Sequence, residues 1–167
     1  MSVPHDFPRP GQRVSDRARA AMLRVDQAGE YGATRIYAGQ LAVMGDRHPV
    51  SRVIAGMAHQ EERHRQRFDA MLTERAVRPT ALQPIWNIAG FALGAVTAAM
   101  GPKAAMACTA AIETEIDRHY TEQLAQLGRN DPELVAAVTG LRAEVVKDRA
   151  ASIADGAEHA VTYALLS

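Results

Sequence analysis

The segment His59-Gln-Glu-Glu-Arg-His64 sets a carboxylate, Glu61, three residues before an imidazole, His64. On a helix that is one turn along one face, where both side chains can reach one ion. The spacing alone is unspecific, because Glu62, Arg63, Arg65 and Arg67 crowd the same stretch and charged helical surfaces produce such pairs freely. Other carboxylates sharpen it. Glu30 stands seven residues from Leu23 and from Tyr37, Glu61 seven from Ile54 and Phe68, and Glu113 seven from Met106 and Tyr120. Each therefore falls on an apolar stripe, where an unpaired carboxylate is costly and must be protonated, paired or bound to a cation. Arginines at the helix borders, Arg24, Arg35 or Arg118, are the alternative partners; a shared cation would satisfy all three carboxylates at once.

Bundles of four helices that hold two irons take one Glu from each of two helices and a Glu-x-x-His from each of the other two. Glu30, the Glu61/His64 pair and Glu113 follow that order along the chain. Oxygen-rich ligation with one imidazole per metal suits iron that must meet dioxygen, whereas zinc sites are usually closed by Cys or His. In the last part of the chain Glu144 and Asp148 are four apart and share a face.

Helices must position these groups. Apolar residues recur at three and four, Ala is abundant and strand-like alternation is missing, so the fold class is all-α. A first helix is predicted from about Ser15 to Met44, ending at Gly45, and a second from about Val50 to Glu74. A third runs from about Lys103 to Leu127 and stops at Gly128. Asp131 as N-cap and Pro132 at the first helical position open a fourth, with Leu134, Val138, Leu141 and Val145 as its stripe. Between the second and third helices lies an uncharged, glycine-interrupted segment, Pro84 to Pro102. It is shorter than the roughly 20 residues of a spanning helix. Two readings stand: a segment lying on a bilayer or against an apolar ligand, favoured by Trp86 and Lys103 at its ends, or a hairpin arm buried in the core.

At 167 residues the chain makes one domain, predicted over 15–167 after a loose proline-rich tail, 1–14, that reads as neither a secretory signal nor a transit peptide. Acidic and basic residues balance at 19 each, which excludes the basic footprint of a nucleic-acid binder. The single cysteine, Cys108, excludes an intrachain disulfide and fits a reducing compartment.

The stretches RVDQAGEYGATRIYAGQLAV (Arg24 to Val43), HQEERH, RPTALQPIWNIAGFALGAVTAAMGPKAAMACTAAIETEIDRHY (Arg78 to Tyr120) and DGAEHAVTYALLS resemble the demethoxyubiquinone hydroxylase family of ubiquinone biosynthesis. The resemblance runs from about Ala21 to the C-terminus. It implies a ferritin-like four-helix bundle with a membrane-associating segment between helices two and three. It also implies a two-iron centre with Glu30, Glu61, His64 and Glu113 as ligands, and a monooxygenase that uses dioxygen to hydroxylate the ring of a demethoxyubiquinol. Pro84 to Gly101 would face the membrane and admit the polyprenyl quinone. Tyr120 becomes a candidate contact for the ring or the ligands, with His119 beside it more ordinarily a surface residue. The implied location is peripheral, on the cytoplasmic side of a bacterial inner membrane, with a homo-oligomer and other ubiquinone-biosynthesis proteins as partners.

The fourth helix departs from the family pattern. Its second Glu-x-x-His should fall in Arg142 to Ala150, which reads RAEVVKDRA, so a gapless match puts Val145 where the bridging Glu belongs and Asp148 where the His belongs. Asp148 can ligate as a carboxylate and Val145 cannot. Glu144 is about 100° around the helix from Val145, so it could stand in only through local overwinding or a shifted helix; the alternative is a solvated Glu144 at the border of the stripe and an Asp148 paired with Arg149 or Arg142. The residue pair Glu158 and His159 is adjacent and so does not share a helical face. The chain also ends at Leu165-Leu166-Ser167, where the family continues, which would weaken membrane docking or closure of the bundle. The expected alternative to a working hydroxylase is an impaired quinone-binding homologue with an incomplete iron site. A ferritin-like iron store is disfavoured by the apolar segment.

Overall fold

The computed structural model describes residues 14–45 and 48–166, with side chains described through Ala150 and at Ile153. The segment 1–13, which makes up nearly all of the expected tail, and the Glu158/His159 side chains lie outside what is described. Five helices follow in order: α1 (Asp16–Met44), α2 (Pro49–Glu74), α3 (Gln83–Ala99), α4 (Pro102–Leu127) and α5 (Pro132–Leu166). Among the described residues there is no strand.

The helix ends are set by local chemistry. Ser15 caps α1 by accepting from the Ala18 N–H, and Gly45 closes it at φ 66°, where a side chain would be strained. Gly128 ends α4 at φ 54°. Asp131 caps α5 by accepting from the Leu134 N–H at 3.1 Å, and it also receives the Arg75 guanidinium, tying the end of α2 to the start of α5.

α1 packs against both α2 and α3, and α4 against α5. The four long helices enclose two apolar blocks. One contains Leu23, Phe68, Tyr120, Leu134, Val138 and Val145, and the other Tyr37, Ile54, Met57, Ala98 and Met106. Because Glu30, Glu61 and Glu113 lie midway between residues of opposite blocks on their own helices, the seven-residue steps place a polar layer between the two cores.

The uncharged segment between α2 and α4 is a helix of 17 residues, α3, and neither sequence reading describes it fully. Its small-residue side, Gly90, Gly94 and Ala98, is buried, while Ile85, Ile88, Val96 and Met100 on the other side are mostly exposed. Glycine is required at the α1 contact: a Cβ on Gly94 would fall 1.9 Å from the Ile36 carbonyl oxygen, and one on Gly39 would fall 2.1 Å from that of Phe91. Two backbones in such contact leave no room for a methyl group, so the bulky residues of α3 must stand away from this contact line. Among the described residues no helix is long and apolar enough to cross a membrane.

Candidate metal centre

Each helix of the bundle brings its candidate ligand into the polar layer. Glu30, Glu61, His64, Glu113 and Asp148 are all buried. Their donor atoms fall into two groups, Glu30/Glu61/His64 and Glu61/Glu113/Asp148, each with all its atoms within 4.8 Å of one another. Glu61 belongs to both.

The hydrogen bonding divides these atoms into held and unheld ones. Glu30 accepts the Tyr120 hydroxyl on Oε1 and has no partner on Oε2. Glu113 accepts the Tyr37 hydroxyl on Oε1 and has none on Oε2. Both Glu61 oxygens and His64 Nδ1 are likewise unpartnered. His64 Nδ1 lies 3.6 Å from Glu30 Oε2 and 3.5 Å from Glu61 Oε1, spacings that suit two ligands of one ion better than a hydrogen bond. Its Nε2 lies 3.1 Å from Glu144 Oε2. Were an ion held at Nδ1, Nε2–H would be left to donate to Glu144, which would fix the ring's orientation. Asp148 accepts on Oδ2 from the Gln60 amide. Buried polar atoms are normally paired, and a set of orphaned oxygens with one imidazole nitrogen, all facing one space, is the donor set a cation would complete. These residues fit iron in the Glu30/Glu61/His64 group.

Crowded carboxylates without a cation shift their protonation. Burial, followed by repulsion from Glu30, pushes Glu61 well above the usual carboxylate range. Burial raises Glu113 to about 7, although the Tyr37 hydroxyl acts the other way. Asp148 is raised chiefly by burial. His64 is driven up to about 11: burial favours its neutral form, but the Glu30 and Glu61 carboxylates beside Nδ1 outweigh it. Burial keeps both tyrosines neutral, hence donors, and the carboxylates beside them reinforce it.

The arginine alternative is not realised among the described residues. Arg118 pairs with Glu115 and Glu122 on the outside of α4, Arg24 donates to the Arg78 carbonyl, and Arg35 lies over the Phe91 ring. Arg142 and Arg149 are both held by Asp117, at 2.7 and 3.0 Å. Glu144 is placed behind His64 and is half-exposed, outside both donor groups. Val145 is fully buried in an apolar block. Tyr120 sits with its hydroxyl on a candidate ligand, and half-exposed His119 bonds the buried Asp26 at 3.0 Å.

Sequence reasoning missed Gln60, Asp26 and the donor role of Tyr37. Asp26, four residues before Glu30 on the same face, had a visible signal; it is buried, accepts from Gln123 at 2.7 Å, and burial raises its pKa despite the His119 and Gln123 hydrogen bonds. Gln60 had none, since its role depends on how α2 meets α5.

Beside the centre an apolar groove of about 850 Å³ runs between α1, α3 and α4, lined by Val25, Ile36, Trp86, Leu93 and Ile112 among others. Gly29 and Ile112, which directly precede Glu30 and Glu113, form part of its wall.

Residues 17–167 match the family described as ubiquinone biosynthesis protein COQ7. The chain belongs to that family. Over 145 residues it is 50% identical to the 3-demethoxyubiquinol 3-hydroxylase of Rhodospirillum rubrum, covering 87% of this chain and 68% of the relative. It is 45% identical over 163 residues to the mouse mitochondrial NADPH-dependent 3-demethoxyubiquinone 3-hydroxylase, covering 93% and 75%. The Caenorhabditis elegans relative of the same name is 42% identical over 127 residues, covering 74% and 67%. The described residues of this COQ7-family chain form helices and no strand, with carboxylate and imidazole groups that could hold a metal gathered at the middle of the bundle.

Proposed function

We propose that the protein is an oxygen-dependent hydroxylase that acts on the ring of a demethoxyubiquinol in ubiquinone biosynthesis, using a metal pair held by Glu30, Glu61, His64, Glu113 and Asp148. The observation that carries this reading is the set of buried, unpartnered donor atoms beside an apolar groove of about 850 Å³. Dioxygen activation is the chemistry that bound iron supplies. The chain does the positioning. Tyr120 and Tyr37 each anchor one oxygen of a carboxylate and leave the other turned inward, and Glu144 orients His64. The groove brings a ring to the walls formed by Gly29 and Ile112, and its apolar lining excludes water.

The exposed apolar face of α3 supports docking on a bilayer surface, with a polyprenyl tail entering the groove past Trp86 and Leu93. We place the protein peripherally, on the cytoplasmic side of a bacterial inner membrane. Val145 favours a second reading, a quinone-binding homologue with impaired catalysis, because it offers no donor at the bridging position. Rescue of a host lacking its own hydroxylase, read as ubiquinone content, separates the two. The natural chain is compared with Val145→Glu/Asp148→His. Rescue by both supports the enzyme, rescue by the double variant alone supports impairment, and rescue by neither overturns the enzymatic reading.

A further inference from the structure

The exposed apolar face of α3 is bordered by cations alone along its own stretch of chain. From Arg75 to Ile112 the charged residues are Arg75, Arg78 and Lys103, and none is acidic. Arg75 is held by Asp131 and Glu133. Arg78 and Lys103 are exposed, one ahead of α3 and the other just after it. α1, which runs beside α3 in the same direction, adds two more. Arg24 lines the groove with Leu82 and Trp86, and its Nε donates to the Arg78 carbonyl at 2.9 Å, so both arginines gather at one end of the groove. Arg35 stands on the flank of α3 beside Gly90. Its guanidinium lies 5.3 Å from the centroid of the partly exposed Phe91 ring, and its buried Nε has no partner. Among the described residues Arg24, Arg35 and Arg78 have no carboxylate partner, whereas Arg65, Arg118, Arg142 and Arg149 each hold one. Glu115, the carboxylate in the groove wall, is itself held by Arg118 at 2.6 Å.

We propose that α3 docks selectively on a bilayer that carries anionic headgroups, with Arg24, Arg35, Arg78 and Lys103 at the level of the phosphates and the apolar face of the helix in the acyl boundary. The cations are spread ahead of, along and after a helix about 25 Å long. That spacing matches a surface of diffuse negative charge better than a single acidic side chain on a protein partner. Long basic stems keep their charges among the headgroups while the apolar face sinks. Each Lys or Arg near such a surface strengthens binding about fivefold, and the gain fades as salt shortens the Debye length. This deepens the proposed function and rests on its membrane-surface reading, but its test does not depend on turnover or on metal.

The full chain is co-sedimented with phosphatidylcholine vesicles and with vesicles in which about one-third of that lipid is replaced by phosphatidylglycerol. The expected result is measurable binding to the neutral vesicles and at least about tenfold tighter binding to the anionic ones, with the difference shrinking as salt is added. Arg35→Gln and Arg78→Gln should each weaken anionic binding about fivefold and leave neutral binding unchanged. Arg35→Lys, which gives up the planar stack on Phe91 but keeps the charge, should retain the preference. Arg67→Gln, exposed on α2, should do the same. Unfolding midpoints measured beside each variant separate lost docking from lost folding. Equal binding to the two kinds of vesicle would overturn the inference and leave the membrane-surface reading standing. A preference undiminished when Arg35→Gln and Arg78→Gln are combined would overturn its assignment to these residues. Binding to neither, whether the chain stays monomeric or associates through α3, would overturn both the inference and the membrane-surface reading.

Discussion

Tyr120 on α4 donates its hydroxyl to Glu30 on α1, and the bond is returned: Tyr37, seven residues after Glu30, donates to Glu113, seven residues before Tyr120. Two helices carrying the same Glu-to-Tyr step, packed in opposite directions, thus each supply the donor that orients the other's carboxylate. Removing one hydroxyl should release one carboxylate from its fixed rotamer. Tyr37→Phe is expected to lower metal affinity in the half that contains Glu113 by about 10–100-fold, measured by chelator competition. The orphaned Glu113 oxygen should also destabilise the metal-free protein by about 1–3 kcal/mol, read in denaturant.

Stability of the metal-free protein should fall as pH rises from about 5 to 8. Glu113 at about 7 and Glu61, both raised from the unfolded carboxylate value, bind more protons folded than unfolded in this interval. The same holds for His64 at about 11 above its unfolded value of 6.5. When the native state holds more protons, stability decreases with pH, and these contributions are lost as each folded pKa is passed. Metal must displace those protons, so affinity should weaken below about pH 7 and binding should release protons. Calorimetric scans at successive pH values, with and without metal, check both; a metal-free midpoint that rises across the interval would contradict the account.

Gly94→Leu should be among the costliest substitutions outside the polar layer. Even its first added atom meets the Ile36 carbonyl oxygen, a backbone atom that cannot rotate away. Overpacking of this kind costs about 1–3 kcal/mol. Thermal unfolding of the variant beside Gly56→Leu, where a Cβ meets nothing within 4 Å, isolates the helix contact from helix propensity.

Ile88→Lys should leave the unfolding midpoint nearly unchanged, because Ile88 is 74% exposed, yet it should reduce binding to lipid vesicles in a flotation assay. Undiminished vesicle binding would count against α3 as the docking face.

The inward faces were legible in the sequence because the heptad step keeps Leu23, Glu30 and Tyr37 on one line, and Ile54, Glu61 and Phe68 on another. Periodicity identifies a face but not its neighbour across the interface. The Gln60 to Asp148 bond joins residues 88 positions apart, and the Tyr37 to Glu113 bond joins residues 76 apart, so neither could be read from local spacing. The nature of α3 escaped for a different reason. A run with glycines at Gly90 and Gly94 reads as interruption in a hydropathy profile, whereas in three dimensions those glycines are the contact surface. Glu144 illustrates the limit of angular reasoning: an offset of about 100° from Val145 cannot show that its carboxylate lies 3.1 Å from His64 Nε2 on another helix.

The polar layer gives the bundle a waist. Above and below it lie separate apolar blocks, and their shared boundary is a buried layer of carboxylates crowded around His64. Ions bound there would act as rivets, fastening the ends of α1, α2, α4 and α5 into one cooperative unit. Amide exchange in the two blocks should accordingly be separable without metal and converge with it, so that occupancy of the waist would decide whether the molecule comes apart in one step or two.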